Sequence, residues 1–145
     1  MPSFLYSYSL HLSFLRTTQA KKSWRSAITA LLETVIRYSR LITGRSKIVV
    51  IDRCYHGSVD ETFATLDASG NTVMREGNIG APVPLDVTTR VVEFNDLARM
   101  EAALKHGDVA AILMEPAMTN VGIVLPDDGY LVAVGELAKK YGAVW

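Results

Sequence analysis

The sequence lacks the features that mark disulfide-rich, membrane-spanning and strongly charged proteins. Its 145 residues include a single cysteine, Cys54, which excludes an intramolecular disulfide and a multi-cysteine zinc site. No apolar run approaches the roughly 18–20 residues that a membrane-spanning helix needs. Fifteen basic and fifteen acidic residues give a formal net charge of zero, which argues against a strongly basic nucleic-acid binder. The composition therefore predicts neither a nucleic-acid partner nor a membrane partner.

Glycine is absent before Gly44, and the charge also changes near that position. Residues 1–47 contain eight basic residues and one acid, whereas residues 48–145 contain seven basic residues and fourteen acids. Residues 1–25 are rich in serine and contain no acid, a composition typical of organelle transit peptides; a poorly defined N-terminus without a targeting role is the alternative. We expect a basic leader over residues 1–25 and one domain over residues 26–145. We expect a cytoplasmic protein, or a mitochondrial one if the leader is a transit peptide.

Apolar periodicity and β-branched runs predict alternating strands and helices. In chain order they are a helix over 26–43, a buried strand over 47–52, a short helix within 59–66, a loop over 67–87, a strand over 90–94, a helix over 96–106 with Asn95 as its N-cap, a buried strand over 109–114, a helix over 129–141 capped by Asp127-Asp128, and a strand beginning at 143. This order predicts an α/β domain with a mostly parallel sheet and flanking helices. A strand that has only begun at residue 145 also suggests an incomplete domain.

Two polar segments follow predicted strands, at the sheet edge where open α/β folds bind ligands. In the first, Tyr55 could stack on a planar ligand and His56 could act as a base, although an aromatic residue at a strand end more often packs in the core or at the rim, and a loop histidine without a role is at least as common. In the second, Glu115 follows an apolar strand and needs a partner, and Asn120 offers a donor and an acceptor, or is simply a turn residue. Cys54 is interpreted as structural. The sequence has no His/Cys spacing typical of metal sites, so no metal is predicted. It also has no glycine-rich phosphate loop.

Five segments in order resemble the class III pyridoxal-phosphate aminotransferases and the aminomutases related to them. The segments are 43–57, which ends in Tyr-His-Gly; 94–97, Phe-Asn-Asp-Leu; 112–116, Ile-Leu-Met-Glu-Pro; 119–126, Thr-Asn-Val-Gly-Ile-Val-Leu-Pro; and 140–143, Lys-Tyr-Gly-Ala. The resemblance covers roughly residues 34–145. It implies part of the large domain of a fold-type I transferase that binds pyridoxal 5'-phosphate.

The resemblance also implies roles for individual residues. Tyr55 matches the aromatic residue that stacks on the cofactor ring, and His56 and Gly57 shape the same turn. Glu115 matches a glutamate near the cofactor, and Asn120 matches an asparagine that hydrogen-bonds the cofactor's phenolic oxygen. The family's phosphate-binding Ser-Gly-Thr falls on residues 27–29, where Thr29 alone matches and is a weak candidate.

The resemblance places no catalytic residue within this chain. The family's lysine and the aspartate that pairs with the pyridine nitrogen are both expected beyond Trp145, and none of the six lysines present lies at a matching position. The implied reaction moves an amino group from an amino donor to a carbonyl acceptor, or within one substrate, in an enzyme that is a homodimer when complete. We expect the chain itself to be an inactive portion. The alternatives are a non-catalytic remnant or dimerisation fragment of that fold, or an unrelated nucleotide-binding α/β domain.

Overall fold

The computed structural model describes residues 19–145, with side chains from residue 27 onward. The expected leader therefore lies largely outside the described residues. The elements in chain order are α1 (Gln19–Thr43), β1 (Lys47–Ile51), a single 3-10 turn (Asp60–Thr62), β2 (Ala64–Leu66), β3 (Thr72–Met74), α2 (Leu85–Thr88), β4 (Thr89–Val92), α3 (Leu97–Leu104), β5 (Val109–Leu113) and α4 (Tyr130–Tyr141).

A three-stranded parallel sheet is the centre of the fold, with strands in the order β4-β1-β5. Beyond β5, Val144 pairs in parallel with Ala111. The last four residues of β1 and all five residues of β5 are buried, as expected for strands covered on both faces. The predicted α/β architecture with a parallel sheet is confirmed.

Alternating side chains of the sheet supply two separate cores. On one face, Val49 and Ile51 pack with α3 and α4, where Met100 and Val134 are fully buried. On the other face, the neighbouring β1 residues pack with Ile36 of α1 and with the β2–β3 hairpin. The two-residue period of a strand therefore divides β1 between two layers. Because the three strands are parallel, the loops that follow β4, β1 and β5 all emerge at the same edge of the sheet. We call this edge the carboxyl edge, and we call the opposite edge the amino edge.

At the amino edge, charged side chains find partners in the loops and helix ends. The Arg45 guanidinium donates to the carbonyl oxygens of Val109, Tyr141 and Gly142, at 3.0, 2.7 and 3.0 Å. Asp108 accepts from the Arg90 guanidinium, which holds the pKa of the aspartate at about 2, and Lys47 lies 3.4 Å from the same carboxylate. These contacts join the start of the sheet to the end of α4.

Three sequence predictions need correction in the first half of the chain. Helix α1 begins at Gln19 rather than at residue 26, because the preceding residues are good helix formers whose polar side chains carry no apolar period. Residues 59–66 contain a 3-10 turn and then a strand instead of a helix, since Thr65 pairs with Val73 across a hairpin. The predicted loop over residues 67–87 accordingly includes β3 and the start of α2.

Both predicted N-caps in the second half are wrong. The N-cap of α3 is Asp96, whose carboxylate accepts from the backbone N–H of Arg99, and Asn95 precedes it with a positive φ of 65°. Helix α4 begins after Gly129, which has a φ of 79°, without a side-chain cap. In both places a left-handed residue turns the chain before the helix, and an N-cap pattern in the sequence does not reveal such a turn.

Candidate functional site

The turn that follows β1 carries the first group of candidate residues. Tyr55 is 43% exposed, whereas His56 is buried. Gly57 has a φ of 71°, and a Cβ atom at this position would lie 2.6 Å from the Thr29 hydroxyl oxygen. Glycine is therefore required here both for the left-handed backbone and for the close approach of α1.

Thr29 lies against this turn, so the structure brings the weakest of the candidates to the same edge. Its hydroxyl oxygen accepts a hydrogen bond from the backbone N–H of Ser58 at 3.1 Å. Helix α1 runs through residues 27–29 without interruption, so their backbone N–H groups lie within the helix rather than at its first turn. An anion held by free amides at a helix N-terminus, as the family triplet would imply, does not fit this part of α1.

Glu115 follows β5 and lies beside the same turn. Its Oε1 atom accepts from the Thr119 hydroxyl at 2.6 Å, whereas its Oε2 atom is buried without a hydrogen-bond partner among the described residues. The Nε2 atom of His56 is likewise buried without a hydrogen-bond partner among the described residues. Burial lowers the pKa of His56 to about 4, although the nearby Glu115 acts in the opposite direction. The imidazole is therefore neutral at physiological pH, with one ring nitrogen buried and unpaired among the described residues.

Asn120 connects the loop after β5 to the turn after β1. Its side-chain amide nitrogen donates to the backbone oxygen of Arg53 at 3.1 Å. Arg53 has a φ of 63°, a left-handed conformation that a non-glycine residue adopts only at a cost. The Asn120 amide has a second N–H and an oxygen that this bond leaves for other contacts. Asn120 is exposed, so a ligand at the carboxyl edge can reach it.

Cys54 and Arg75 stabilise the turn after β1 from its buried side. The Cys54 side chain is buried, and burial raises the pKa of its thiol to about 11, so the interpretation as a structural residue fits. Arg75 donates to the Cys54 backbone oxygen at 3.0 Å. Asp52 accepts from the Thr65 hydroxyl and from the Leu66 N–H, at 2.6 and 3.1 Å. Asp52 begins the first polar segment that the sequence indicates as a candidate. The sequence does not indicate Arg75, because a partner 21 residues away leaves no local pattern.

An apolar cavity of about 320 Å³ opens beside His56. Its lining residues are Leu32, His56, Ile112, Leu113, Met114, Pro116, Leu131 and Trp145. The cavity thus lies where α1, the end of β5 and the residues following α4 meet. His56 is the titratable side chain in a lining that is otherwise apolar, as is common in pockets that hold an organic ring.

The described part of the chain shows neither a metal-binding cluster nor a membrane-spanning helix. No group of three or more histidine, cysteine, aspartate and glutamate side chains there could hold a metal ion. None of the described helices has both the length and the apolar character required to cross a membrane.

Comparison with known proteins identifies relatives over most of the chain. The family model of the class III aminotransferases matches residues 22–145. The glutamate-1-semialdehyde 2,1-aminomutase of Methanothrix thermoacetophila is 38% identical over 109 residues, which make up 75% of this chain and 25% of that protein. The protein of the same name from Neisseria meningitidis serogroup C is 37% identical over 124 residues, or 82% of this chain and 28% of that protein. The chain thus spans about a quarter of the length of these relatives.

Solved structures agree with the sequence relatives. A glutamate-1-semialdehyde aminomutase from Pseudomonas aeruginosa PAO1 has a TM-score of 0.78 and 47% identity, over 80% of this chain and 26% of that one. A lysine-to-alanine variant of that protein in complex with PMP matches equally well. An omega-transaminase from Sphaerobacter thermophilus has a TM-score of 0.69 and 27% identity, over 80% of this chain and 28% of its own. The resemblance seen in the five sequence segments is confirmed: the chain belongs to the class III aminotransferase family.

Proposed function

We propose that this chain provides the ring-binding part of a pyridoxal 5'-phosphate site, in an enzyme that transfers an amino group from an amino donor to a carbonyl acceptor or within one substrate. The observation that carries the proposal is the convergence at the carboxyl edge of Tyr55, His56, Gly57, Glu115 and Asn120, with two buried polar atoms left unpaired. Relatives named as an aminomutase, an omega-transaminase and a complex with PMP support this class of chemistry.

The ring end of the cofactor fits the residues present. Tyr55 offers an exposed aromatic face on which a planar ring can stack. We assign the free N–H of Asn120 to the phenolic oxygen, and we assign His56 and Glu115 to the support of the ring and of Tyr55. When bound, the cofactor supplies an electron sink for the carbon next to the transferred nitrogen. The side chains of this chain then stack, orient and exclude water.

The phosphate end does not fit in the same way. The N–H groups of residues 27–29 lie inside α1, so a cradle of amides is not available there. The Thr29 side chain, half-buried against Ser58, stays a weak candidate for a phosphate contact. We therefore propose that this chain holds the ring more firmly than the phosphate.

We further propose that these 145 residues alone do not catalyse amino transfer. Among the described side chains, Lys47 pairs with Asp108 at the amino edge, and Lys105 and Lys140 pair with Glu101 at 3.9 and 2.9 Å. Lys47 is at the start of β1, Lys105 directly follows α3, and Lys140 is in the last turn of α4. Lys139 is in the same last turn of α4. The amino edge is remote from the proposed ring site, so none of the four can form the bond to the cofactor that the family's lysine makes.

The test uses two cofactor forms with the 145-residue protein. PMP needs no lysine, and we expect the protein to bind it and Tyr55→Ala to weaken that binding about two- to tenfold, since a stacking contact of this kind contributes roughly 0.5–1.5 kcal/mol. Titration followed by PMP fluorescence measures this, with Tyr38→Ala as the matched exposed tyrosine of α1. With pyridoxal 5'-phosphate and no reductant, we expect no turnover of glutamate-1-semialdehyde or of an amine and a carbonyl acceptor, and in a separate sample treated with borohydride we expect no trapped adduct at a single lysine. Equal PMP binding by wild type and Tyr55→Ala would overturn the ring contact, and turnover would overturn the inactivity.

A non-catalytic role of the same fold is the second candidate, and two observations favour it. The first is the uninterrupted course of α1 through residues 27–29. The second is a set of exposed apolar side chains on α1: Ile28, Leu31, Val35, Tyr38, Leu41 and Ile42. Exposed apolar surface of this extent is typical of an interaction site, and it supports the homodimer proposed for the complete protein. Light scattering of the purified chain tests this candidate. A stable dimer that does not bind PMP would favour the non-catalytic role.

A further inference from the structure

Asn95 makes a contact that its sequence neighbours do not explain. It follows β4 in the left-handed conformation, and asparagine tolerates this conformation better than most residues. Its side-chain nitrogen donates to the backbone oxygen of Leu125 at 3.3 Å, and its side-chain oxygen accepts from the backbone N–H of Asp127 at 3.0 Å. The Asn95 side-chain amide thus both donates to and accepts from the main chain of a loop 30 residues away, as the backbone of a neighbouring strand does.

This loop is the one that carries Asn120. Residues 114–129 connect β5 to α4, and within them Met118 and Val124 exchange two backbone hydrogen bonds of 3.0 Å. The loop is fastened to the sheet at two points: Asn120 bonds to Arg53 after β1, and Asn95 bonds to the far side of the loop after β4. Both fastening points are exposed, so solvent competes with each hydrogen bond.

Side chains next to Asn95 reinforce the second point. The rings of Phe94 and Tyr130 meet edge to face, with centroids 5.2 Å apart. Asp96 caps α3. Three consecutive residues after β4 therefore serve three different partners, and Asn95 is the one that acts on the loop.

We propose that Asn95 is a positioning residue that sets the location of Asn120 at the site, by holding the loop at Leu125 and Asp127. The inference rests on the proposed function, in which Asn120 contacts the cofactor ring. Asn95 does not touch that site itself. It acts by restricting the hairpin-like span from Met118 to Val124, so that the Asn120 amide stays over the turn after β1.

Hydrogen exchange on the 145-residue protein tests the holding of the loop. Asn95→Gly keeps the left-handed backbone and removes both hydrogen bonds, and Asn95→Asp keeps the acceptor for Asp127. We expect amides in 118–127 to exchange about tenfold faster in Asn95→Gly, and by an intermediate factor in Asn95→Asp, because two hydrogen bonds of modest net strength are lost. Amides of β1 and β5 should be unchanged. Asn71→Ser is the control, since the Asn71 side chain bonds to Asp67 within its own turn. Unchanged exchange in 118–127 for Asn95→Gly would overturn the proposal.

A double-mutant cycle with PMP tests whether the held residue is Asn120. We expect Asn95→Gly to raise the dissociation constant for PMP about fivefold in the wild-type background and less than twofold in an Asn120→Ala background. Equal effects in both backgrounds would show that Asn95 acts through the fold generally, and would overturn the role assigned to it. If the wild-type chain does not bind PMP, the proposed ring contact fails, and the exchange result alone then decides whether Asn95 holds the loop.

Discussion

The two edges of the parallel sheet differ in how completely their polar groups are paired. At the amino edge, Arg45 serves three carbonyl oxygens and Asp108 binds two basic side chains. At the carboxyl edge, buried atoms of His56 and Glu115 are unpaired among the described residues, and two non-glycine residues, Arg53 and Asn95, adopt left-handed conformations. The same strands thus end in a region that stabilises the fold at one edge and in a region that can still bind a ligand at the other.

The largest effect is expected where the carboxyl edge is most tightly packed. Gly57→Ala should lower the free energy of unfolding by about 2–4 kcal/mol, since it combines a left-handed alanine with a steric clash against Thr29. Urea unfolding measures the change. Gly77→Ala is the control: its φ is 78° and no atom lies within 4 Å of the new methyl group, so it should cost about 1–2 kcal/mol. Adding Thr29→Ala should recover part of the loss, and similar costs at positions 57 and 77 would contradict the packing argument.

Arg45→Met should be nearly as costly, by about 2–3 kcal/mol, because three carbonyl oxygens lose a charged donor. Urea unfolding again gives the value. Arg99→Met is the matched variant, since the Arg99 side chain is 55% exposed and its ion pair with Asp96 should contribute less than about 1 kcal/mol. If both arginine variants lose the same small amount, the amino edge is not the more strongly stabilised of the two.

The dependence of stability on pH should report the unpaired histidine. The unfolded imidazole binds a proton below pH 6.5, whereas the pKa of folded His56 is about 4, so acid favours the unfolded state between these values. The wild-type protein should lose about 1.4 kcal/mol per pH unit in this window as the pH falls, an upper limit for one group. Unfolding curves at pH 7, 6 and 5 should show a smaller loss in His56→Gln. His106→Gln, at an exposed position, should keep the wild-type slope; a slope that survives in His56→Gln would place its origin elsewhere.

The smallest stability effect is expected at Tyr55, an exposed candidate of the carboxyl edge. Tyr55→Ala should change the free energy of unfolding by less than about 0.5 kcal/mol, because the ring is 43% exposed and serves a ligand rather than the core. Thermal or urea unfolding of the unliganded protein checks this. A loss above 2 kcal/mol would mean that Tyr55 is a packing residue, which would weaken the division between a stabilising and a binding edge.

The sheet was predictable from the sequence because β-branched runs that are buried on both faces, such as Lys47–Ile51, leave a strong local signal. The meeting of Tyr55, Glu115 and Asn120 at one edge was also predictable, since parallel strands bring their ends together. The roles of Arg45 and Asn95 were not. Their partners lie 64 and 30 residues away. Asn95 and Asp96 are equally good N-caps by sequence, and only the contact of Asn95 with the distant loop shows that Asp96 is the cap.

Helix α1 is held in its second half by Ile36, Ser39 and the ion pair of Arg40 with Glu61, and its first half reaches the turn after β1. Among its described side chains, Ile36 and Ser39 are the buried ones, whereas Thr29 touches Gly57 at the far end. Thr29 lies about 10 Å along the helix axis from Ile36 at a rise of about 1.5 Å per residue. A rocking motion of about 5° around Ile36 would displace Thr29 by about 1 Å, enough to disturb the geometry of a reacting group. Whatever covers the exposed face of α1 can therefore adjust the aromatic side of the site without touching it.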